Sequence, residues 1–439
     1  MRCAIAGVLL SILIAGFARP VAASPEFAPY FRDHAVVQRD RPLPVWGRAD
    51  PLEHISVTFG TQTVGVTAGP DGRWIAFLAP VEAGTGGADL TAAGRTVQVI
   101  HDVVAGDVWL CAGGSGMAAA AGRGPLASGP RNPMIRELRE SSGATSWRVY
   151  ASDTAAGFSA VGLAFARTLQ SRVGVPVGIV TVAADASPLQ AWMSPMALEA
   201  LHRPLAPVPP WTPASLFTGR VQPLLPCALC GILWYQGEGD WGRAADYAAA
   251  FPELITAYRS HFGQPDLPFF WVQLGGFGKK SAPGLQAPLL REAQAGALRI
   301  PGTGEVVTID LGDQRQADPA EIGRRLALLA KARVYGIAVD DSGPVFTGID
   351  IAGSSVHVRF THAGDGLTAG GRPLQSFQVA GPDRVFHPAS ASIGADGLVV
   401  ESPAVRQPVA VRYAWTNAPE ANLFNGAGLP AAPFRSDAW

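Results

Sequence analysis

Between Gly106 and Gly336, short apolar runs alternate with longer stretches in which apolar residues recur at helical spacing. Apolar strands separated by amphipathic helices are typical of a mostly parallel sheet with helices on both faces. The alternation therefore predicts an α/β domain over 106–339. The predicted strands are DVWLCAG, VGIVTV, GILWYQ, FFWVQL and EVVTIDL, and the predicted helices include SAVGLAFARTLQSRVG, AADYAAAFPELITAYRSHFG, APLLREAQAGALRI and AEIGRRLALLAKARVYG.

Short strands separated by Gly, Pro and Asp flank this region on both sides. Such spacing is typical of all-β sandwiches or barrels. A chain of 439 residues is also too long for one ordinary core. We therefore expect an N-terminal β-sandwich domain at 24–105 and a C-terminal β domain at 340–439.

Residues 1–23 have the pattern of a secretory signal peptide, with Arg2 before an apolar run and Val21-Ala22-Ala23 as a small-residue cleavage site. The run is shorter than the ~18 residues of a spanning helix, although an uncleaved anchor is the alternative. We expect a periplasmic or secreted protein with no membrane contact after cleavage. A net charge of −1 offers no electrostatic basis for binding nucleic acid.

Three cysteines follow the signal, namely Cys111, Cys227 and Cys230. An odd number excludes a fully paired disulfide framework. Cys227 and Cys230 form a C-x-x-C that precedes a predicted strand, so buried thiols or one local disulfide are favoured over a redox or metal site. Asp310 and Asp313 lack partner histidines and ligand spacing, and we predict neither a metal nor another cofactor.

Ser115 is the candidate nucleophile. It lies in GDVWLCAGGSGM, on a Gly-rich turn directly after a predicted strand. A serine on such a turn exposes its hydroxyl at the carboxyl edge of an α/β sheet, where hydrolases keep their nucleophiles. It needs a base within hydrogen-bond reach, most often a histidine. A second strand, GILWYQGEGD, ends nearby in a polar cluster that contains Gln236 and Glu238.

Segments along nearly the whole mature chain resemble the bacterial sialate O-acetylesterase-like carbohydrate esterases of the SGNH-hydrolase type. The resemblance implies a three-layer, flavodoxin-like parallel sheet. It also implies hydrolysis of O-acetyl esters on sialic acid or related carbohydrates. The matching segments include FRDHAVVQRDRPLPVWGRAD, AGFSAVGLAFARTLQ, RVQPLLPCALCGILWYQGEGD, PFFWVQL, EIGRRLALLAKARVYG and VAVRYAWTNAPEANLFNGAGLPAAPFRSD.

The resemblance also implies roles for individual residues. The family motif G-Q-S-N-M stands here as 113–117 with both amide side chains replaced by glycine, which implies that Ser115 is the nucleophile. A second block, normally paired glycines before T-P-x-E-A-W, stands here as 185–192. The implied oxyanion-hole donors are Gly114, Ala186 and Gln236. Glu238 and Trp192 are candidates for the substrate groove, and burial beside the sheet is the alternative for Trp192.

The family's D-I-H-P block, which completes a Ser-His-Asp triad, contains no histidine in this chain. Alignment on Pro319 puts Gln316 at the Asp position and Asp318 at the His position. Counting back from Gly323 gives Asp313 as the acid and Arg315 at the His position. Arginine stays protonated and cannot act as a base, and aspartate is a weak one.

Two hypotheses therefore stay open for this site. In the first, Ser115 hydrolyses acetyl esters with Asp318, Asp313 or a mobile histidine such as His202 as a poor base. In the second, the protein is a catalytically inactive relative that binds acetylated glycans. Loss of a triad member lowers turnover by about 10⁴- to 10⁶-fold, so the choice between them depends on whether another group replaces the missing histidine. The substrate in either case is a small molecule or glycan carrying acetyl esters.

Overall fold

The computed structural model describes residues 25–141, 144–277, 284–394 and 397–439. The signal peptide predicted at 1–23 lies outside the described residues. Within the described ranges, no helix is both long enough and apolar enough to cross a membrane.

The N-terminal segment forms two sheets around a shared core. Strands β1, β3 and β6 make one antiparallel sheet, and β5, β4, β7 and the amino half of β8 make the other. Val45 and Trp74 from the first sheet and Ile55 and Leu90 from the second belong to one buried apolar cluster. The strands are β1 (Glu26–Phe27), β2 (Val36–Gln38), β3 (Leu43–Arg48), β4 (His54–Phe59), β5 (Gln62–Thr67), β6 (Arg73–Leu78), β7 (Ala88–Ala93) and β8 (Val97–Gly113).

Strand β8 joins this segment to the central sheet. Its amino half pairs with β7, and its carboxyl half is the middle strand of a parallel sheet. One continuous strand of 17 residues therefore crosses the domain boundary expected at 105/106, and the division into domains stays a prediction.

The central segment alternates strands and helices as expected. The order in the sheet is β10-β9-β11-β8-β12-β13-β14, with only β10 antiparallel to its neighbour along this path. Its elements are α1 (Ser115–Ala118), β9 (Asn132–Ser141), β10 (Ala144–Tyr150), α2 (Ala160–Val173), β11 (Val177–Ala183), α3 (Leu189–Trp192), α4 (Pro195–Ala200), β12 (Gly231–Tyr235), α5 (Ala244–His261), β13 (Phe269–Val272), α6 (Gln286–Ala295), β14 (Thr303–Val306) and α7 (Pro319–Arg333).

Helices cover both faces of this sheet. Trp109 and Cys111 of β8 point to the layer of α2 and α7, whereas Leu110 and Ala112 point to the layer of α5 and α6. Alternate residues of a strand face opposite sides, so a strand buried on both faces is apolar throughout. The predicted three-layer α/β class with flanking β segments is confirmed.

Two local differences from the sequence expectations have simple causes. The hairpin of β9 and β10 was not expected, because NPMIRELRES mixes a proline and four charged residues with few apolar ones. The strand expected over EVVTIDL ends at Val306, and the chain turns into a short 3₁₀ helix at Ile309–Leu311. Helix α2, in contrast, begins as expected, since Ser159 Oγ accepts the amide proton of Gly162.

The C-terminal segment is a seven-stranded antiparallel sheet with the order β15-β16-β20-β19-β18-β21-β23. It is fastened to the central segment by Arg291 of α6, whose guanidinium donates to the carbonyls of Leu274, Gly275, Thr416 and Asn417. The strands are β15 (Val345–Ala352), β16 (Ser355–Thr361), β17 (Leu367–Thr368), β18 (Phe377–Ala380), β19 (Phe386–Gly394), β20 (Gly397–Glu401), β21 (Ala410–Tyr413), β22 (Phe424–Asn425) and β23 (Phe434–Arg435).

All three described cysteines are free thiols. Cys111 and Cys227 are buried, and burial raises the pKa of each thiol far above its usual value. The sequence left two alternatives for Cys227 and Cys230, buried thiols or a local disulfide. The structure shows free thiols and no disulfide between these two residues.

Candidate active site

Ser115 is presented by a sharp turn between β8 and α1. Gly113, the last residue of β8, has a φ of +141°, and a Cβ there would lie 2.2 Å from the Tyr235 carbonyl oxygen. Only glycine fits this backbone and this close approach. The chain then turns so that Ser115 becomes the first residue of α1, and its side chain is exposed at the carboxyl edge of the sheet. This is the presentation that the sequence predicted.

The turn after β11 supplies a backbone donor to this serine. The Ala186 amide donates to Ser115 Oγ over 3.3 Å. Ala186 has a φ of +50°, in the left-handed region that disfavours residues with a Cβ. The Oγ of Ser187 donates to the Ala184 carbonyl and so fastens the turn. The amide is thus aimed at the hydroxyl by a strained alanine.

No imidazole lies beside this hydroxyl. All eight histidines are among the described residues, and none hydrogen-bonds to Ser115. His34 binds Asp102, His101 binds Asp89, and the others lie on β4, β16, β19, the end of α5 or surface loops. Across the described ranges, the only partner of Ser115 Oγ is the Ala186 amide, which is a donor. Nothing in this arrangement accepts the hydroxyl proton.

The two aspartates considered as bases are used by the local backbone. Asp318 is the N-cap of α7 and accepts the Ala320 amide proton at 2.9 Å. Asp313 accepts the amide proton of Arg315, also at 2.9 Å. Both side chains are exposed, and neither is hydrogen-bonded to Ser115. Neither carboxylate therefore contacts the Ser115 hydroxyl directly.

Of the three expected oxyanion donors, only Ala186 is directed at Ser115. The Gly114 amide donates to the Tyr235 carbonyl at 2.7 Å as part of the sheet. The buried Gln236 donates its side-chain amide to the Ser187 carbonyl at 2.9 Å and to Asp240 Oδ2 at 2.7 Å. Gln236 therefore ties the loop after β12 to the turn that holds Ala186.

Glu238 and Tyr235 fill the space of the two missing amide side chains. A Cβ on Gly114 would lie 2.9 Å from Glu238 Oε2, and a Cβ on Gly116 would lie 2.3 Å from the Tyr235 ring. Burial raises the pKa of the Glu238 carboxyl, although the backbone amides of Gly116 and of Glu238 itself oppose the rise. The carboxyl of this groove candidate is turned inward, behind the nucleophile turn.

Gln314 is a site residue that neither sequence alignment identified. It is buried, and its side chain lies near the Glu238 carboxyl. Neither amide atom of Gln314 has a hydrogen-bond partner within 3.5 Å in the described structure. The 313–318 loop has no periodicity, so no signal in the sequence indicated which of its side chains points inward.

Trp192, the other groove candidate, is fully buried beneath the site. Its indole nitrogen donates to Ser187 Oγ at 2.8 Å, and its ring packs edge-on against Trp234. The ring is therefore part of the core in this structure, which is the alternative that the sequence left open, and it supports the turn that contains Ala186.

Comparisons with known proteins agree with this architecture. Residues 105–327 match a family model described as carbohydrate esterase, sialic acid-specific acetylesterase. The sialate O-acetylesterase of Rattus norvegicus is 26% identical over 529 aligned positions, which cover 98% of this chain and 97% of the relative. The human sialate O-acetylesterase is also 26% identical, with 93% and 92% covered.

A solved structure extends the match to three dimensions. A carbohydrate acetylesterase from Xanthomonas citri superimposes with a TM-score of 0.88 at 34% identity, over 95% of this chain and 100% of that chain. The alignment to the rat relative is longer than this chain of 439 residues, so that relative contains segments that this chain lacks. The chain belongs to the sialic acid-specific acetylesterase family of carbohydrate esterases.

Proposed function

We propose that this chain binds O-acetylated carbohydrate at the sheet edge around Ser115 and hydrolyses the acetyl ester only slowly. The observation that carries the proposal is the environment of Ser115. Its hydroxyl is exposed beside one donor, the Ala186 amide, and it has no hydrogen-bond acceptor among the described residues. A nucleophile and an oxyanion donor remain, but the base that activates the nucleophile is missing.

In the proposed reaction, Ser115 Oγ attacks the acetyl carbonyl carbon. The carbonyl electron pair moves to oxygen, where the Ala186 amide donates to it. The proton of Ser115 passes through water to a carboxylate of the 313–318 loop, Asp313 or Asp318. The sugar oxygen then leaves with a proton, and water hydrolyses the acetyl-serine ester. Because a carboxylate is a poor base for an alcohol, we expect a rate about 10⁴- to 10⁶-fold below that of a complete triad.

A second candidate function is binding without turnover. The engagement of Gly114 and Gln236 inside the protein favours it, because an oxyanion hole with one donor instead of three stabilises the transition state much less. The exposed Asp185 beside Ala186 also favours binding without turnover, since its negative charge opposes a developing oxyanion. On this view the site serves recognition only.

Acetate release from O-acetylated N-acetylneuraminic acid separates the two candidates. We expect slow release that falls to the buffer rate in Ser115→Ala, together with labelling of Ser115 by an organophosphonate. The matched control is Ser171→Ala, which removes an exposed hydroxyl from α2. If release by the wild type equals that of Ser115→Ala while the sugar still binds, the chain is a binding protein and the slow reaction is excluded.

We also propose that residues 1–23 direct export, so that the mature protein is periplasmic or secreted. The support is the charged start, the short apolar run and the small-residue cleavage site. Amino-terminal sequencing after expression in a bacterial host should find a mature chain that begins close to Ser24. A full-length chain held in the membrane fraction would contradict this.

A further inference from the structure

Three side chains form a cluster at the same sheet edge as Ser115. The ring centroids of Trp241 and Phe277 lie 4.9 Å apart, and the guanidinium carbon of Arg315 lies 5.2 Å from the centroid of the Phe277 ring. Both rings are half-buried, and Arg315 is exposed. We call these three residues the aromatic-arginine cluster.

The cluster is held by contacts between the loops that follow β12, β13 and β14. The Gly276 amide donates to the Gly312 carbonyl at 3.0 Å, and the Gln314 amide donates back to the Gly276 carbonyl at 2.8 Å. A Cβ on Gly276 would lie 2.7 Å from the Gly312 oxygen, so the close approach depends on glycine. The Phe277 amide donates to the Asn417 carbonyl of the C-terminal segment. Phe277 and Arg315 are therefore positioned by backbone hydrogen bonds before any ligand arrives.

The cluster and the nucleophile lie on loops that follow neighbouring strands of one parallel sheet. Strands β8, β12 and β13 are adjacent and parallel, so the ends of β8 and β13 are separated by two strand spacings, about 10 Å. The loop that contains Trp241 also contacts the turn that contains Ala186, because a Cβ on Gly239 would lie 2.3 Å from the Ser187 carbonyl oxygen. The loop that contains Trp241 therefore packs against the turn that donates to Ser115 Oγ.

Among the described residues, no acidic side chain pairs with Arg315. No carboxylate in the described residues lies within 4 Å of its guanidinium, whereas Arg325, Arg243 and Arg435 each contact one. The nearest acid in sequence, Asp313, accepts the backbone amide of Arg315 instead. An exposed guanidinium that is held over a ring keeps its planar donors available for a carboxylate.

We propose that the aromatic-arginine cluster determines substrate specificity by binding a carboxylate-bearing sugar. Arg315 pairs with the sugar carboxylate, and Trp241 and Phe277 contact the apolar face of its ring. The proposal rests on the proposed function, in which the acetyl group of the same sugar lies at Ser115. It predicts a preference for acidic sugars over neutral sugars of the same shape.

Calorimetric titration with the methyl α-glycoside of N-acetylneuraminic acid, and with the neutral methyl ester of that glycoside, tests this preference. We expect the wild type to bind the acid about tenfold more tightly than the ester. Arg315→Gln should bind both equally, and Arg315→Lys should retain part of the preference because it keeps the charge but loses the planar donors. The control is Arg172→Gln, an exposed arginine in the last turn of α2, and it should behave as the wild type.

Phe277→Leu tests the rings separately. Phe277→Leu should weaken the binding of the acid and of its methyl ester by a similar factor. The ratio of the two affinities should therefore stay unchanged. The proposal is overturned if the wild type binds acid and ester equally, if Arg315→Gln keeps the preference, or if neither ligand binds. Failure of the proposed reaction would look different. Acetate release would then be independent of Ser115 while the acid preference still depended on Arg315.

Discussion

The backbone amide of Ala186 donates to Ser115 Oγ from a left-handed conformation, with a φ of +50°. A residue with a Cβ is destabilised in this region by roughly 1–2 kcal/mol. The only donor aimed at the nucleophile among the described residues is thus held in place against local backbone strain, which the surrounding turn has to offset.

Ala186→Gly should therefore stabilise the protein. The relief of strain exceeds the extra backbone entropy of glycine, and we expect a gain of about 0.5–1 kcal/mol in the free energy of unfolding. Urea denaturation measures it. Ala184→Gly, two residues earlier with an ordinary φ, should lose stability. Equal losses in both variants would show that the left-handed alanine is not strained.

The carboxylates of the 313–318 loop should account for the residual rate. Asn replaces Asp without loss of the N-cap at 318, because its side-chain oxygen accepts the same amide proton. We expect the double variant Asp313→Asn, Asp318→Asn to keep its stability and to release acetate about tenfold more slowly. An unchanged rate in a steady-state assay would mean that solvent water takes the proton.

Stability should fall as the pH rises toward neutrality because of buried glutamates. Burial raises the pKa of Glu137 from 4.5 to about 7, although Thr181 Oγ1 and the Ser159 amide donate to its carboxylate. Between these two values the folded state holds a proton that the unfolded state has lost. Each such group removes up to about 1.4 kcal/mol per pH unit in this window and nothing further above it. Burial raises the pKa of Glu305 to about 7 as well.

Glu137→Gln should make the free energy of unfolding less dependent on pH between 5 and 7. This variant removes the titration of Glu137, whereas Glu305 still makes stability fall as the pH rises. Urea midpoints measured from pH 5 to pH 8 give the slope, with Glu199→Gln as the exposed control. If the wild type and Glu137→Gln have the same slope, the raised pKa of Glu137 does not contribute to the pH dependence of stability.

Removal of the Arg291 side chain should loosen the contact between the central and C-terminal segments. The guanidinium is buried and donates to four carbonyls, and burial lowers its pKa to about 9. Arg291→Met leaves those carbonyls without a donor, and we expect a loss of about 3 kcal/mol or more.

Arg291→Met should also weaken binding of the acidic sugar, because the hydrogen bonds of Arg291 hold the loop that contains Phe277. Unfolding and calorimetry at one temperature check both effects. Arg299→Met, which removes an exposed arginine from the 3₁₀ turn after α6, should change neither. A stable Arg291→Met protein would show that the contact contributes little.

Local sequence determined the parts of this protein that depend on near neighbours in the chain. Apolar runs predicted the strands of the central sheet. The caps at Ser159, Gly174 and Asp318 also depend on near neighbours, because their capping bonds reach only a few residues along the chain. The glycines around Ser115 predicted its exposed turn for the same reason. The missing histidine was also evident, since all eight histidines lay outside the expected block.

Only the tertiary structure decided which side chains meet at the sheet edge. Gln236 was expected to donate to an oxyanion, but its amide ties two loops together, and Gln314 points inward although no alignment selected it. Trp241, Phe277 and Arg315 come from loops tens of residues apart. The direction of a loop side chain depends on contacts between strand ends that are distant in sequence, and local periodicity contains no information about those contacts.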